Sequence, residues 1–105
     1  MVRVVGQTRP ASPAQVRRVV WTDEAANDLE NIVSYITQFN PLAAQRMAVR
    51  LIAAAEALKE HAERGRPVGK GHRQLAIVRP YLIRYRIDGD TVVVFRCWHG
   101  SRLQD

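Results

Sequence analysis

Apolar residues recur along this chain first at helical spacing, twice over, and then at strand spacing. Leu29, Ile32, Val33, Ile36 and Phe39 stand at i, i+3, i+4, i+7 and i+10, one stripe on a helix, with Asp28, Glu30 and Asn31 off it. Thr22 precedes the stripe as an N-cap whose hydroxyl accepts from free backbone N–H groups. Asp23 and Glu24 place negative charge in the first turn, where the helix dipole favours it. The pattern predicts a helix from there to near Phe39. Asn40-Pro41 ends it and starts another: Asn caps, and Pro at the first helical position gives up only an N–H that has no intrahelical partner. Ala44, Met47, Ala48, Leu51, Ala55 and Leu58 make the second stripe, running to near His61. So short a link makes the helices antiparallel neighbours, and the alanines let them approach closely.

Strand signals flank this hairpin. Arg17-Arg18-Val19-Val20-Trp21-Thr22 is a short β-branched and aromatic run before it. After it, Gly65-Arg66-Pro67-Val68-Gly69-Lys70-Gly71 reads as a loop, and three strands follow over Arg73–Arg79, Tyr81–Asp88 and Thr91–His99. Pro80 separates the first two, and Asp88-Gly89-Asp90 supplies a hairpin turn. The order β-α-α-β-β-β predicts an α+β domain over residues 17–105, a helical hairpin packed on one face of a small antiparallel sheet, the other face partly open. Residues 1–16, with two prolines and a glycine, read as a mobile extension before it. In the middle strand Tyr81, Ile83, Tyr85 and Ile87 make the core side, so Arg84 and Arg86 project outward. Both alternating sets of the last strand are apolar early on, which makes it central, with Arg96 and Trp98 on the basic side and the face of His99 left open.

Composition narrows the chemistry. At 105 residues and 47% hydrophobic the chain supports one modest core. The single cysteine, Cys97, forms no internal disulfide, and His61 and His72 have no partner at metal-ligand spacing. No apolar run is long enough to span a bilayer and no signal-peptide core follows the N-terminal arginines, so the expected location is the cytoplasm, with no membrane partner. Gly69-Lys70 is followed by Gly71 and a strand rather than by Ser or Thr and a helix, which excludes a phosphate-binding Walker loop. The net charge of +6 is unevenly spread: three bases and seven acids lie in residues 19–63, nine bases and only Asp88 and Asp90 in residues 64–102. A basic C-terminal third attracts phosphates or acidic peptides, or serves as a solvated face.

The ordered set Val20-Trp21-Thr22…Ala25…Asp28-Leu29…Ile32…Tyr35-Ile36…Asn40-Pro41…Ala44, then Gly65-Arg66-Pro67…Gly71-His72-Arg73-Gln74-Leu75, Tyr81-Leu82-Ile83-Arg84-Tyr85-Arg86-Ile87 and His99-Gly100-Ser101-Arg102 resembles the RelE/ParE toxin superfamily of type II toxin–antitoxin systems. The opening stretch is most similar to ParE-like toxins, and the match covers about residues 17–103. The resemblance implies the βααβββ RelE/ParE-like fold, no cofactor, and a cognate antitoxin, ParD-like, that neutralises the toxin and alone binds operator DNA. It implies one of two activities: inhibition of DNA gyrase by ParE-like members, or metal-free cleavage of mRNA on the ribosome by RelE-like members.

Carried over residue by residue, the ribonuclease set would comprise Arg73, His99 and Arg102. Its second basic position on the first core strand falls on Leu75, its middle-strand arginine on Leu82, and its C-terminal tyrosine finds no match before Asp105. Metal-free phosphoryl transfer needs charge around the phosphate and a positioned proton carrier. The expectation is therefore a gyrase-directed binding protein, with the mRNA endonuclease as the alternative and a non-toxic nucleic-acid-binding module as a second one. The expected target-binding residues are Arg73, Arg84, Arg86, Arg96, Trp98, His99 and Arg102. Each has a plain structural reading beside it: Arg73 and Arg102 pair with surface acids, His99 caps its strand, and Tyr81 and Tyr85 serve the core. The antitoxin-binding residues are not assigned by the sequence.

Overall fold

The computed structural model describes residues 17–101, so the expectation for residues 1–16, and the position of Arg102, lie outside the described residues. Strand β1 (Arg18–Trp21) leads through Thr22 into helix α1 (Asp23–Thr37). Thr22 caps it as expected, its Oγ1 accepting from the Ala25 N–H at 3.1 Å. Asn40 does the same for α2 (Pro41–Glu56), accepting from Ala43 N–H at 3.0 Å. Two short 3-10 turns, Ala57–Lys59 and Ala62–Arg64, carry the chain to four further strands. These are β2 (Arg66–Gly69), β3 (His72–Val78), β4 (Tyr81–Asp88) and β5 (Thr91–His99).

The sheet has five strands in the order β1-β5-β4-β3-β2, and it is mixed: β1 runs parallel to β5, the other pairs are antiparallel. Two sequence expectations change here. The stretch read as a Gly/Pro loop is a strand, because Gly69↔His72 pairing leaves Lys70-Gly71 as a two-residue turn, both at positive φ (59° and 77°), as type I′ geometry requires. The expected α1 stripe stops short of Phe39, which lies past the helix end and is 71% exposed.

The helices cover one sheet face. Ala25 of α1 and Ala55 of α2 share a fully buried cluster with Leu58, Ile83, Tyr85, Val92 and Val94. Leu51 joins Val78 and Tyr81, flanked by Leu29, Ile32 and Met47. Burying a large aliphatic side chain contributes about 1.5–3 kcal/mol relative to exposure, and small alanines at the crossings let the hairpin sit down on the strands. No helix among the described residues is long and apolar enough to cross a membrane.

In β5 the alternation breaks once. Tyr85 pairs with Val94 but Arg84 pairs with Arg96, leaving Phe95 as an extra, bulged residue. Val92 and Val94 face the core before the bulge and Cys97 faces it after. This is why both alternating sets look apolar in the sequence.

Candidate functional site

Directly paired residues in a sheet project to the same side. The register therefore lays a row across four strands on the uncovered face: Arg66 opposite Gln74, Gln74 opposite Arg84, Arg84 opposite Arg96. His72 and Arg86 pair beside it, as do Leu82 and Trp98. Like charges facing one another across strands repel, and here each arginine of the central pair is drawn elsewhere. Arg84 donates through Nη2 to Gln74 Oε1 at 2.6 Å and lies 5.3 Å from the centroid of the Trp98 ring. Its Nε is buried with no partner. Arg96 instead turns around the uncovered edge of β5 towards α1, its Nε donating to Asp28 Oδ2 at 2.8 Å with Glu24 at 3.8 Å. That carboxylate holds the Arg96 guanidinium above its ordinary range.

Aromatic rings complete the face. The bulge carries Phe95 to the same side as Trp98, and its ring lies 4.5 Å from that of His72. Trp98, Phe95, His72 and Arg84 are all half-buried, and Arg66 and Arg86 are exposed.

A second feature lies on the helix side. Strand β1 ends opposite Val94, where Thr22 N–H bonds Val94 O at 3.0 Å and the chain turns into α1. Beyond that point a cleft of about 290 Å³ separates α1 from β5, lined among others by Asn31, Tyr35, Tyr81 and His99. His99 packs edge-on to Tyr81 with ring centroids 5.1 Å apart, so it belongs to the helix side. The Ser101 N–H donates to His99 Nδ1 at 3.1 Å, and Ser101 Oγ is 2.7 Å away. A backbone N–H can only donate, so Nδ1 is the acceptor and the ring proton sits on Nε2.

Arg73 also lies on the helix side, opposite Tyr85. Its Nη1 donates to the carbonyls of Gly65 at 2.7 Å and Glu63 at 3.3 Å. Tyr85 ties down the same connector: its hydroxyl donates to Ala62 O at 2.7 Å and accepts from Gly65 N–H at 2.8 Å. Burial pushes the Tyr85 phenol above its ordinary range.

Of the residues singled out by sequence, the structure thus brings together Arg84, Arg86 and Trp98. It turns the guanidinium of Arg96 aside and places Arg73 and His99 on the other side of the sheet. Arg66, Gln74, His72 and Phe95 join the open face without having been singled out. Their signal was register, which two bulges (β2–β3 at Pro67/Gly69, β4–β5 at Phe95) conceal. No cluster of three or more His, Cys, Asp or Glu side chains arranged to hold a metal occurs among the described residues.

Residues 19–104 match a family model described as the ParE toxin of type II toxin-antitoxin system, parDE. The chain is 50% identical over 86 residues to a Caulobacter vibrioides protein named Toxin RelE2, covering 82% of this chain and 98% of that one. It is 38% identical over 79 residues to Toxin RelE1 of the same organism, 72% and 85% being covered. Among solved structures it is similar to the chromosomal ParDE TA system from P. aeruginosa, with a TM-score of 0.73 at 24% identity over 81% of this chain and 97% of that one. It is also similar to the RelBE2 toxin–antitoxin complex from Mycobacterium tuberculosis, with a TM-score of 0.59 at 26% identity over 80% and 98%.

Proposed function

Because this chain belongs to the ParE toxin family and is the toxin of a type II toxin–antitoxin system, we propose that it acts by binding, as a ParE-like inhibitor of DNA gyrase. The observation that carries this reading is the separation of Arg73 from His99, the two described members of the ribonuclease set. Arg73, on β3 opposite Tyr85, is held by two backbone carbonyls, while His99 lies on β5 opposite Tyr81, on the other flank of β4 and four residues away along it. Phosphoryl transfer needs its charges and its proton carrier around one phosphate.

The neutralising antitoxin belongs on the helical hairpin. Leu42, Val49 and Ile52 are 55%, 67% and 45% exposed on α2. Leu42, Val49, Arg46 and Arg50 line a shallow groove of about 410 Å³. An amphipathic segment with acids beside its apolar anchors matches that surface, apolar to apolar and carboxylate to guanidinium. Such a segment also orders on binding, which keeps release coupled to its degradation. Operator DNA is reached through the antitoxin, and the active setting is the cytoplasm.

The test is induction of the chain with and without its neighbouring gene product, alongside supercoiling by purified gyrase. Gyrase inhibition and DNA-damage signalling with intact transcripts, relieved by the partner, support the reading. Harmless expression, or unimpaired supercoiling, overturns it. The names of the relatives, RelE2 and RelE1, favour a second reading: a ribosome-dependent mRNA endonuclease using Arg73, His99 and Arg102. That reading predicts codon-phased cuts in mRNA and loss of toxicity in His99→Ala.

A further inference from the structure

We propose that the outer face of α2 is a contact between two copies of this chain, which pair antiparallel about a two-fold axis and so cover the groove while no antitoxin holds it. This goes beyond the antitoxin reading, which gives the groove a different occupant; the two compete for one surface.

Three observations point to it. First, α2 carries two apolar stripes on opposite sides. Ala44, Leu51 and Ala55 make the buried one. At 3.6 residues per turn, Leu42, Val49, Ile52 and Ala53 fall on the side directly opposite, and all four are exposed. A helix that serves only its own core needs one apolar stripe, its other face being polar. The second stripe of α2 calls for a second neighbour, and the described residues provide none.

Second, the spacing of that outer stripe is the spacing of a helix pair. Leu42, Gln45, Val49, Ile52 and Glu56 recur at alternating intervals of three and four, the a and d positions of a heptad. In an antiparallel pair centred between Val49 and Ile52, Val49 meets the partner's Ile52, and the symmetry makes that contact twice. The middle of the contact is then apolar on both sides.

Third, charge fixes the orientation and suits a second copy. Arg46 flanks the stripe near its start, and among the described residues no carboxylate lies within ion-pair distance of it. The first turn of α2 holds no acid, whereas its last residue is Glu56. Antiparallel pairing about the same centre brings Arg46 beside the partner's Glu56, again twice, and opposes the two helix dipoles. A parallel pair would set Arg46 against the partner's Arg46. Glu56 already reaches Lys59 at 3.4 Å, but so exposed a pair is exchanged at little cost. Because the same patch is used by both copies, assembly stops at two. One helix against another falls below the standard interface size, so the pair is weak enough for an antitoxin to displace.

The experiment is sedimentation of the full chain between about 1 and 300 µM, the range of a contact below standard size. A mass that rises with concentration from one chain to two, and no further, supports the proposal. Val49→Glu, at an exposed position outside the core, should weaken pairing by about tenfold or more, because it puts a charge at the apolar centre. Arg46→Glu should weaken it by about twofold to thirtyfold, two exposed ion pairs being lost at once. Adding Glu56→Arg to Arg46→Glu rebuilds both pairs in reverse and should restore the original affinity. Unchanged circular dichroism of each variant separates lost pairing from lost folding. A single-chain mass at every concentration, open-ended growth, pairing that Val49→Glu leaves untouched, or no rescue by the double change overturns it. The product of the neighbouring gene, when added, should convert the pair into a mixed complex. Should it bind while the toxin pair stays intact, the antitoxin reading of this groove fails and the pairing stands.

Discussion

Asp28 caps the backbone of Cys97: its Oδ2 accepts from that N–H at 2.9 Å while also accepting from Arg96 Nε at 2.8 Å. β1 has left the sheet by this point, so the carboxylate stands where the carbonyl of a neighbouring strand would otherwise be. One side chain of α1 thus finishes the hydrogen bonding of β5 and draws the charge of Arg96 away from Arg84. Asp28→Ala should destabilise the fold by about 1–3 kcal/mol, mainly through the orphaned amide, with the half-exposed ion pair adding little after screening. A fall in Tm of roughly 4–8 °C per kcal/mol is expected, with Asp28→Asn intermediate because it keeps an acceptor. An unchanged Tm in Asp28→Ala would remove the capping role.

Tyr85 and Gly65 form a second such pair. A Cβ at Gly65 would stand 2.6 Å from the Tyr85 hydroxyl and 2.9 Å from its ring. Gly65→Ala is expected to cost about 1–3 kcal/mol by overpacking, and Tyr85→Phe a similar amount by stranding the Gly65 amide and the Ala62 carbonyl. Denaturant midpoints should also show the two changes to be non-additive, Gly65→Ala costing less once the hydroxyl is gone. Strict additivity would contradict the contact.

Burial pushes the Cys97 thiol up to about 12, with Asp28 adding to the effect. The native chain should therefore react slowly with iodoacetamide at mildly alkaline pH, and quickly once denatured, because the thiolate is the nucleophile. The sign for stability follows. Above the ordinary thiol range, about 8.5, the unfolded chain loses this proton while the folded one retains it, so stability falls as pH rises. Equal alkylation rates in native and denatured protein would refute the assignment.

On the hairpin, Arg46→Glu together with Arg50→Glu should leave toxicity intact and weaken antitoxin binding by tenfold or more, about 1.4 kcal/mol. Growth that the antitoxin no longer rescues, with reduced affinity by calorimetry, is the expected outcome. Full rescue by the antitoxin would move its docking surface elsewhere.

Much of the fold was legible because its signals are local. The caps Thr22 and Asn40, the helix faces and the limits of β4 and β5 all follow from spacing within a few residues. β2 was not, since Gly65, Pro67, Gly69 and Gly71 carry loop propensity and only pairing with β3 makes Arg66–Gly69 a strand. The parallel entry of β1 depends on a partner far along the chain and leaves no local trace. The open face was half legible: alternation gave Arg84 and Arg86, but Phe95, Arg66 and Gln74 join them only through bulges and register. Arg73 and His99 were grouped with them by sequence order, whereas the pleat sends them the other way.

The pairing of Arg18–Trp21 with Thr91–Val94 has a consequence for how the molecule comes into being. The strand made first must wait, unmatched, until the strand made last has been synthesised, so the nascent polypeptide carries an idle edge through almost the whole of its translation. Closure over so long a loop is slow and leaves sticky surface exposed meanwhile. The open face, whose Phe95 and Trp98 sit on that last strand, is likewise finished only at the end.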